Sequence, residues 1–100
     1  MKIRGSICAL ATPFTSDGAL DLDAFGRLLD YQIAGGTQAV VVAGSTGEAH
    51  MLEHDEYETL LAFAVKRVAG RIPVLAGTGE AGTARTVALT RRARELGADV

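Results

Sequence analysis

The sequence predicts an α/β chain in which strands and helices alternate around a parallel sheet. Three observations carry this. Apolar runs open at Ile7, Ala39 and Pro73, spaced 32 and 34 residues apart. Each run is followed by a loop and then by apolar residues at helical spacing. The central run, Ala39-Val40-Val41-Val42-Ala43, is unbroken, small and β-branched, which suits a strand buried on both faces. A strand–loop–helix unit therefore repeats, which implies parallel strands and right-handed crossovers. Two architectures use this unit: a doubly wound sheet, and an eight-fold barrel of about 250 residues. One hundred residues cannot close such a barrel, so under that reading the chain is an amino-terminal piece with bare strand edges.

Each element has a local reason. Residues 7–12 read as the first strand, closed by Pro13, and Ser16-Asp17-Gly18 as a turn. Asp21 suits a helix N-cap, and Leu22, Phe25, Leu28, Leu29 and Ile33 recur at helical spacing until Gly35-Gly36 stops them. The second strand is the central run. A second helix is expected over residues 53–68, with a stripe of Tyr57, Leu60, Leu61, Ala64, Val65 and Val68. Acidic residues crowd its first turn and Lys66 and Arg67 its last, as the helix dipole favours, and Gly70 follows as a stop. Residues 73–76 form a third strand with proline first, where it does little harm. Thr83 is the expected cap of a third helix reaching about Leu96, with a weaker stripe of Val87, Leu89, Ala93 and Leu96 and several arginines. Ala98-Asp99-Val100 then approaches a fourth strand.

Composition excludes several classes. With 48% hydrophobic and 22% charged residues and a net charge of −2, nothing argues for nucleic acid or an anionic membrane as partner. No apolar run approaches the ~20 residues of a membrane span. The charged start, Met1-Lys2-Ile3-Arg4, mimics a signal peptide, but its apolar core is cut short by Thr12-Pro13. A cytoplasmic setting is the expectation, with Cys8 a buried, reduced thiol.

The chemistry concentrates where the central strand ends. Gly44-Ser45-Thr46-Gly47-Glu48 places two hydroxyls between glycines at the carboxyl edge of a parallel sheet, where ligands bind in α/β proteins. The glycines are expected to give the tight turn and leave the amides unshielded, making a donor cluster for a small anion such as a carboxylate. Glu48 is expected to brace the loop. Gly77-Thr78-Gly79-Glu80-Ala81-Gly82 matches G-x-G-x-x-G, but two strand–helix units precede it and Asp99 comes too early for the acidic partner. It reads better as a glycine-rich loop beside a substrate pocket. Ala43-Gly44-Ser45-Thr46-Gly47 approaches the hydrolase elbow G-x-S-x-G, but the helix does not start directly after the serine. His50 and His54 could share a helix face near carboxylates; a solvated acidic first turn is the better reading than zinc.

Ala11-Thr12-Pro13-Phe14, Gly44-Ser45-Thr46-Gly47-Glu48 and Arg71-Ile72-Pro73-Val74-Leu75-Ala76-Gly77-Thr78-Gly79, in that order, resemble the dihydrodipicolinate synthase family of class I pyruvate aldolases, which includes N-acetylneuraminate lyase. The resemblance covers the whole chain but only about the first third of a family member. It implies a (β/α)8 TIM barrel, of which residues 1–100 are the incomplete amino-terminal part, supplying about three βα units of one domain. It further implies a homotetramer, no cofactor or metal, and a lysine Schiff base with pyruvate. In the synthase branch, 4-hydroxy-tetrahydrodipicolinate synthase, the enamine attacks L-aspartate 4-semialdehyde in lysine (diaminopimelate) biosynthesis. Thr46 would hold the pyruvate carboxylate through its hydroxyl and amide, with Gly47 beside it. Ser45 would take the proton-relay position, where the synthases more often carry threonine and the lyase branch also carries serine. A sialic-acid-type or keto-sugar aldolase, a nicotinamide-dependent oxidoreductase and a non-catalytic βα fragment stay open. The only lysines, Lys2 and Lys66, lie at a terminus and on a helix, and the only tyrosines, Tyr31 and Tyr57, lie on helices. The fragment alone is therefore expected to be inactive. Positions that bind inhibitory lysine in some family members correspond to Ala49, His50, His54, Tyr57, Ala81 and Arg85. Only His54 keeps the typical residue, and Arg85 replaces an acid, so weak or absent lysine inhibition is expected.

Overall fold

A computed structural model describes residues 2–100, so the Met1 end of the charged start lies outside the described residues. The elements alternate as β1 (Ile7–Ala9), α1 (Leu22–Ala34), β2 (Ala39–Val42), a 3-10 turn (Ala49–Met51), α2 (His54–Val68), β3 (Val74–Ala76) and α3 (Thr83–Glu95). The strands form one parallel sheet in the order β1-β2-β3, with Cys8 beside Val40 and Val40 beside Val74. Past β3, the Ala76 amide donates to the Val100 carbonyl at 2.8 Å and the Asp99 amide to the Val74 carbonyl at 2.9 Å. Residues 98–100 thus run beside β3 as the opening of a fourth strand.

The place of that fourth strand, beside β3 and not back beside β1, separates the two architectures. A doubly wound sheet reverses its strand order partway and carries helices on both faces. Here the order is monotonic, and crossovers of one hand then place every helix on the same side. Cys8, Val40, Val42, Val74 and Ala76 share that side and pack with Phe25, Leu29, Leu60, Leu61, Ala64 and Val68. The other face presents Ile7, Ala9, Val41 and Leu75, and Ile7 is 39% exposed. β2 is sealed on the helix side, and on the other face Ala39 is 1% exposed while Val41 is partly covered. Cys8 is likewise partly rather than fully buried, and unpaired.

Local physics explains the helices. The Asp21 carboxylate accepts from the Ala24 amide at 2.9 Å, capping α1 as expected. Leu29 and Leu61 are fully buried, which stabilises by about 1.5–3 kcal/mol each. α1 meets α2 through Phe25 and Phe63, whose ring centres are 6.2 Å apart. Arg67 also forks onto Asp30 at 2.7 and 3.2 Å. α2 opens with the Glu53 amide donating to Glu56 at 2.9 Å. It ends at Val68 as expected, with Ala69 at φ +52° capping it ahead of Gly70 at +76°.

Other boundaries moved. β1 stops at Ala9 because pairing ends with the Leu10 amide on the Val41 carbonyl, and Thr12 turns to a different partner. β3 starts at Val74; Pro73 contributes only its carbonyl, to the Val40 amide. Thr83 is not the cap of α3: Gly82 is, at φ +142°, and Thr83 is the first helical residue. Val87 is 42% exposed, so the buried stripe of α3 narrows to Ala93 with Leu89 and Leu96 partly covered. Among the described residues no helix is long and apolar enough to cross a membrane.

Candidate functional site

The chain leaves β2 through two left-handed residues that are not glycine. Ala43 has φ +55° and Glu48 φ +59°, each costing about 1–2 kcal/mol relative to ordinary backbone. The expected role of the glycines is therefore corrected: Gly44 and Gly47 do not supply the left-handed turn. Gly47 supplies close approach, since a Cβ there would stand 3.0 Å from the Leu10 carbonyl oxygen and 3.1 Å from the Thr12 hydroxyl. Between the two left-handed residues the turn closes on itself, with the Glu48 amide on the Ser45 carbonyl at 3.0 Å.

Ser45 and Thr46 sit exposed at the crest of this turn, at the carboxyl edge of the sheet. Ser45 lines a cleft of about 240 Å³ together with Gly44, His50, Gly77 and Gly79. Thr46 stands on the same turn but outside that lining, and Gly47 is buried beneath it. Glu48 is exposed, so the expected brace is not provided by its side chain. The bond that ties the turn to β1 comes from a residue named only within the Ala11-Thr12-Pro13-Phe14 motif and given no role there: the Thr12 hydroxyl donates to the Gly47 carbonyl at 2.7 Å. Its signals were that motif and a polar side chain closing an otherwise apolar strand.

The loop after β3 forms the opposite wall. Gly77 presses against the turn so closely that a Cβ would fall 2.0 Å from the Ala43 carbonyl oxygen. Its amide donates to Val42 at 2.8 Å, and its carbonyl accepts from the Tyr57 hydroxyl at 2.8 Å. The glycine of the G-x-G-x-x-G run thus serves packing against protein backbone. Tyr57, expected in an apolar stripe and at a position matching the lysine site of some family members, also carries this polar contact; burial, with Glu80 nearby, pushes its phenol up to about 12.

A larger cleft of about 420 Å³ opens between the entrance of α2 and the loop after β3. Ala49, His50, His54, Tyr57 and Ala81 line it; Arg85 is exposed on α3 outside it. His54 pairs with Glu58 at 2.7 Å, and Arg92 forks onto the same carboxylate at 2.7 and 3.0 Å, joining α2 to α3. The Arg92 guanidinium, then desolvation opposing it, then the charges of Arg92 and His54, set the Glu58 carboxyl below its usual range. Among the described residues no three His, Cys, Asp or Glu side chains gather as a metal site. Ser45 is followed by a turn and a 3-10 segment rather than by a helix, which does not fit a hydrolase elbow.

Sequential parallel strands with all helices on one side, and a hydroxyl-bearing turn at the carboxyl edge, define the (β/α)8 barrel class; the chain supplies about its first three βα units. The model of the dihydrodipicolinate synthetase family matches residues 2–100, and the chain belongs to that family. It is 65% identical over 98 residues to a 4-hydroxy-tetrahydrodipicolinate synthase of Xanthomonas axonopodis pv. citri, covering 98% of this chain and 32% of that protein. Against a synthase of the same name from Stenotrophomonas maltophilia the identity is 61%, covering 98% and 33%. The structure overlays the crystal structure of dihydrodipicolinate synthase from Aquifex aeolicus with a TM-score of 0.92 at 48% identity, covering 97% of this chain and 33% of that one. It overlays a chloride-inhibited synthase from Acinetobacter baumannii, solved with pyruvate, at 0.95 and 38% identity, covering 98% and 34%. The chain thus spans about a third of the length of the relatives it matches.

Proposed function

We propose that the protein carrying this segment is a lyase of the class I aldolase type, a 4-hydroxy-tetrahydrodipicolinate synthase. It joins pyruvate to L-aspartate 4-semialdehyde through a lysine Schiff base, in lysine biosynthesis, without a cofactor. The observation that carries the reading is the exposed Ser45–Thr46 pair at the carboxyl edge of β2, Ser45 facing a cleft, in a chain 65% identical to a protein of that name. In this reading the Thr46 hydroxyl and amide grip the pyruvate carboxylate, which needs several charge-assisted donors in fixed geometry. Gly47 keeps the turn close to β1, and Ser45 passes a proton between the reacting carbon chain and groups from later strands. Lys2 and Lys66 are both exposed, and Lys66 stands in the last turn of α2, so neither is an amine lowered by burial at a strand end. The nucleophilic lysine then lies outside these residues, residues 1–100 form the amino-terminal part of one barrel domain, and the fragment alone is inactive. A cytoplasmic homotetramer completes the proposal.

Borohydride trapping of the full-length protein with pyruvate, followed by mass spectrometry, tests it. A pyruvyl adduct on a lysine outside residues 1–100 is expected. No adduct would end the aldolase reading, and an adduct on Lys66 would end the assignment of the nucleophile to later strands.

A further inference from the structure

We infer that Thr12 is a positioning residue for the hydroxyl pair: its buried hydroxyl clamps the Gly47 carbonyl and so fixes where Ser45 and Thr46 stand. For its ligand the inference rests on the pyruvate reading above; for its geometry it does not. Thr12 is only 6% exposed, and its hydroxyl reaches across 35 residues of sequence to Gly47 at 2.7 Å. The far end of the turn is seated directly on the exit of β1, where a Cβ at Gly47 would stand only 3.0 Å from the Leu10 carbonyl oxygen. The near end is held by Gly77 against Ala43. The exposed Ser45–Thr46 crest lies between these two anchors. Bonds inside the turn, such as Ala49 amide to Gly44 carbonyl at 3.3 Å, preserve its shape but do not fix it to the sheet. The Thr12 bond does that. Glu48, exposed and left-handed, does not.

Removing the donor alone isolates the effect. Valine has the shape of threonine but leaves a buried carbonyl unpaired, and an unpaired buried carbonyl turns toward another donor or toward water. The crest moves with it. Catalysis by positioned groups is sensitive to such movement, and a displacement of about 1 Å can cost about 100-fold in rate.

The test uses the full-length protein. Thr12→Val is expected to lower kcat/KM for pyruvate about 10- to 100-fold, with KM raised, and Thr12→Ser to bring both back close to wild type. A fall in kcat with KM unchanged and with the 45–48 amides exchanging as in wild type is what a merely structural residue would give, and would overturn the inference. Should Thr12→Val fail to fold, Thr12→Ala leaves room for a water at the Gly47 carbonyl; a smaller fall in kcat/KM is then expected, and an unchanged kcat/KM overturns the inference. Hydrogen exchange separates this from the functional reading. If wild type traps no pyruvate, the aldolase proposal falls. The clamp still predicts faster exchange of the 45–48 amides in the valine or alanine variant, and unchanged exchange there would sink it.

Discussion

Replacing Gly77 by alanine tests whether the two loops at the sheet edge are truly locked together. The added Cβ would lie 2.0 Å from the Ala43 carbonyl oxygen, 2.7 Å from its carbon and 3.0 Å from the Gly44 Cα. The first distance is more than 1 Å inside the 3.4 Å at which ordinary contact begins, and all three neighbours are backbone. No rotamer change can relieve it, so one loop must shift. Overpacking of this kind costs about 1–3 kcal/mol. The shift also strains the bonds from the Gly77 amide to Val42 and from Tyr57 to the Gly77 carbonyl, each 2.8 Å and each worth about 1 kcal/mol. The total is about 2–5 kcal/mol, a large share of the 5–15 kcal/mol of a typical domain. Thermal denaturation of the full-length protein should show a Tm lower by about 5–15 °C. Gly79→Ala, two residues on, meets nothing within 4 Å and should change stability by less than about 0.5 kcal/mol. Equal melting of the two variants would refute the locked-loop argument.

Three further outcomes follow from the same geometry. Tyr57→Phe keeps the buried ring but strips the Gly77 carbonyl of its donor, and should cost about 1–2 kcal/mol by thermal denaturation. Because burial raises the Tyr57 phenol to about 12, the folded state holds its proton longer than the unfolded one. The stability this group contributes is present below pH about 10 and is lost as pH rises through about 12; phenolate absorbance should lose its highest-pH component in the variant. Glu58 is depressed chiefly by its bond to Arg92, so its contribution is present above pH about 4.5 and lost as pH falls below that. Glu58→Gln should flatten the acid limb of the stability profile, and added salt should reduce the difference from wild type. For regulation, lysine should inhibit the full-length protein weakly or not at all, since exposed Arg85 stands where the resemblance gives inhibited members an acid; submicromolar lysine binding by calorimetry would refute this.

The alternation of elements was legible because it rests on local physics. The helical spacing of Leu22, Phe25, Leu28, Leu29 and Ile33, the cap at Asp21 and the glycine stop at Gly35-Gly36 are decided within a few residues of one another. The hydroxyl pair was legible for the same reason, as Ser45 and Thr46 follow directly on an apolar run. The resemblance carried by the three motifs reached the family, and the match over residues 2–100 bears it out. Where local preference misled, it did so at ends: Thr83 looks like a cap, yet the chain turns one residue earlier at Gly82, which alone tolerates φ +142°.

By itself, then, the sequence determined which stretches are strand and helix, because those choices depend on neighbours three or four positions away. Tertiary structure decided which face of the sheet the helices cover, because that depends on the order in which parallel strands join. It also decided that Gly77 abuts Ala43, that Tyr57 turns its hydroxyl to a carbonyl, and that Thr12 rather than Glu48 holds the turn. These partners lie 20 to 35 residues apart. Nothing in the spacing of side chains along one strand or helix encodes a contact formed only when distant segments meet.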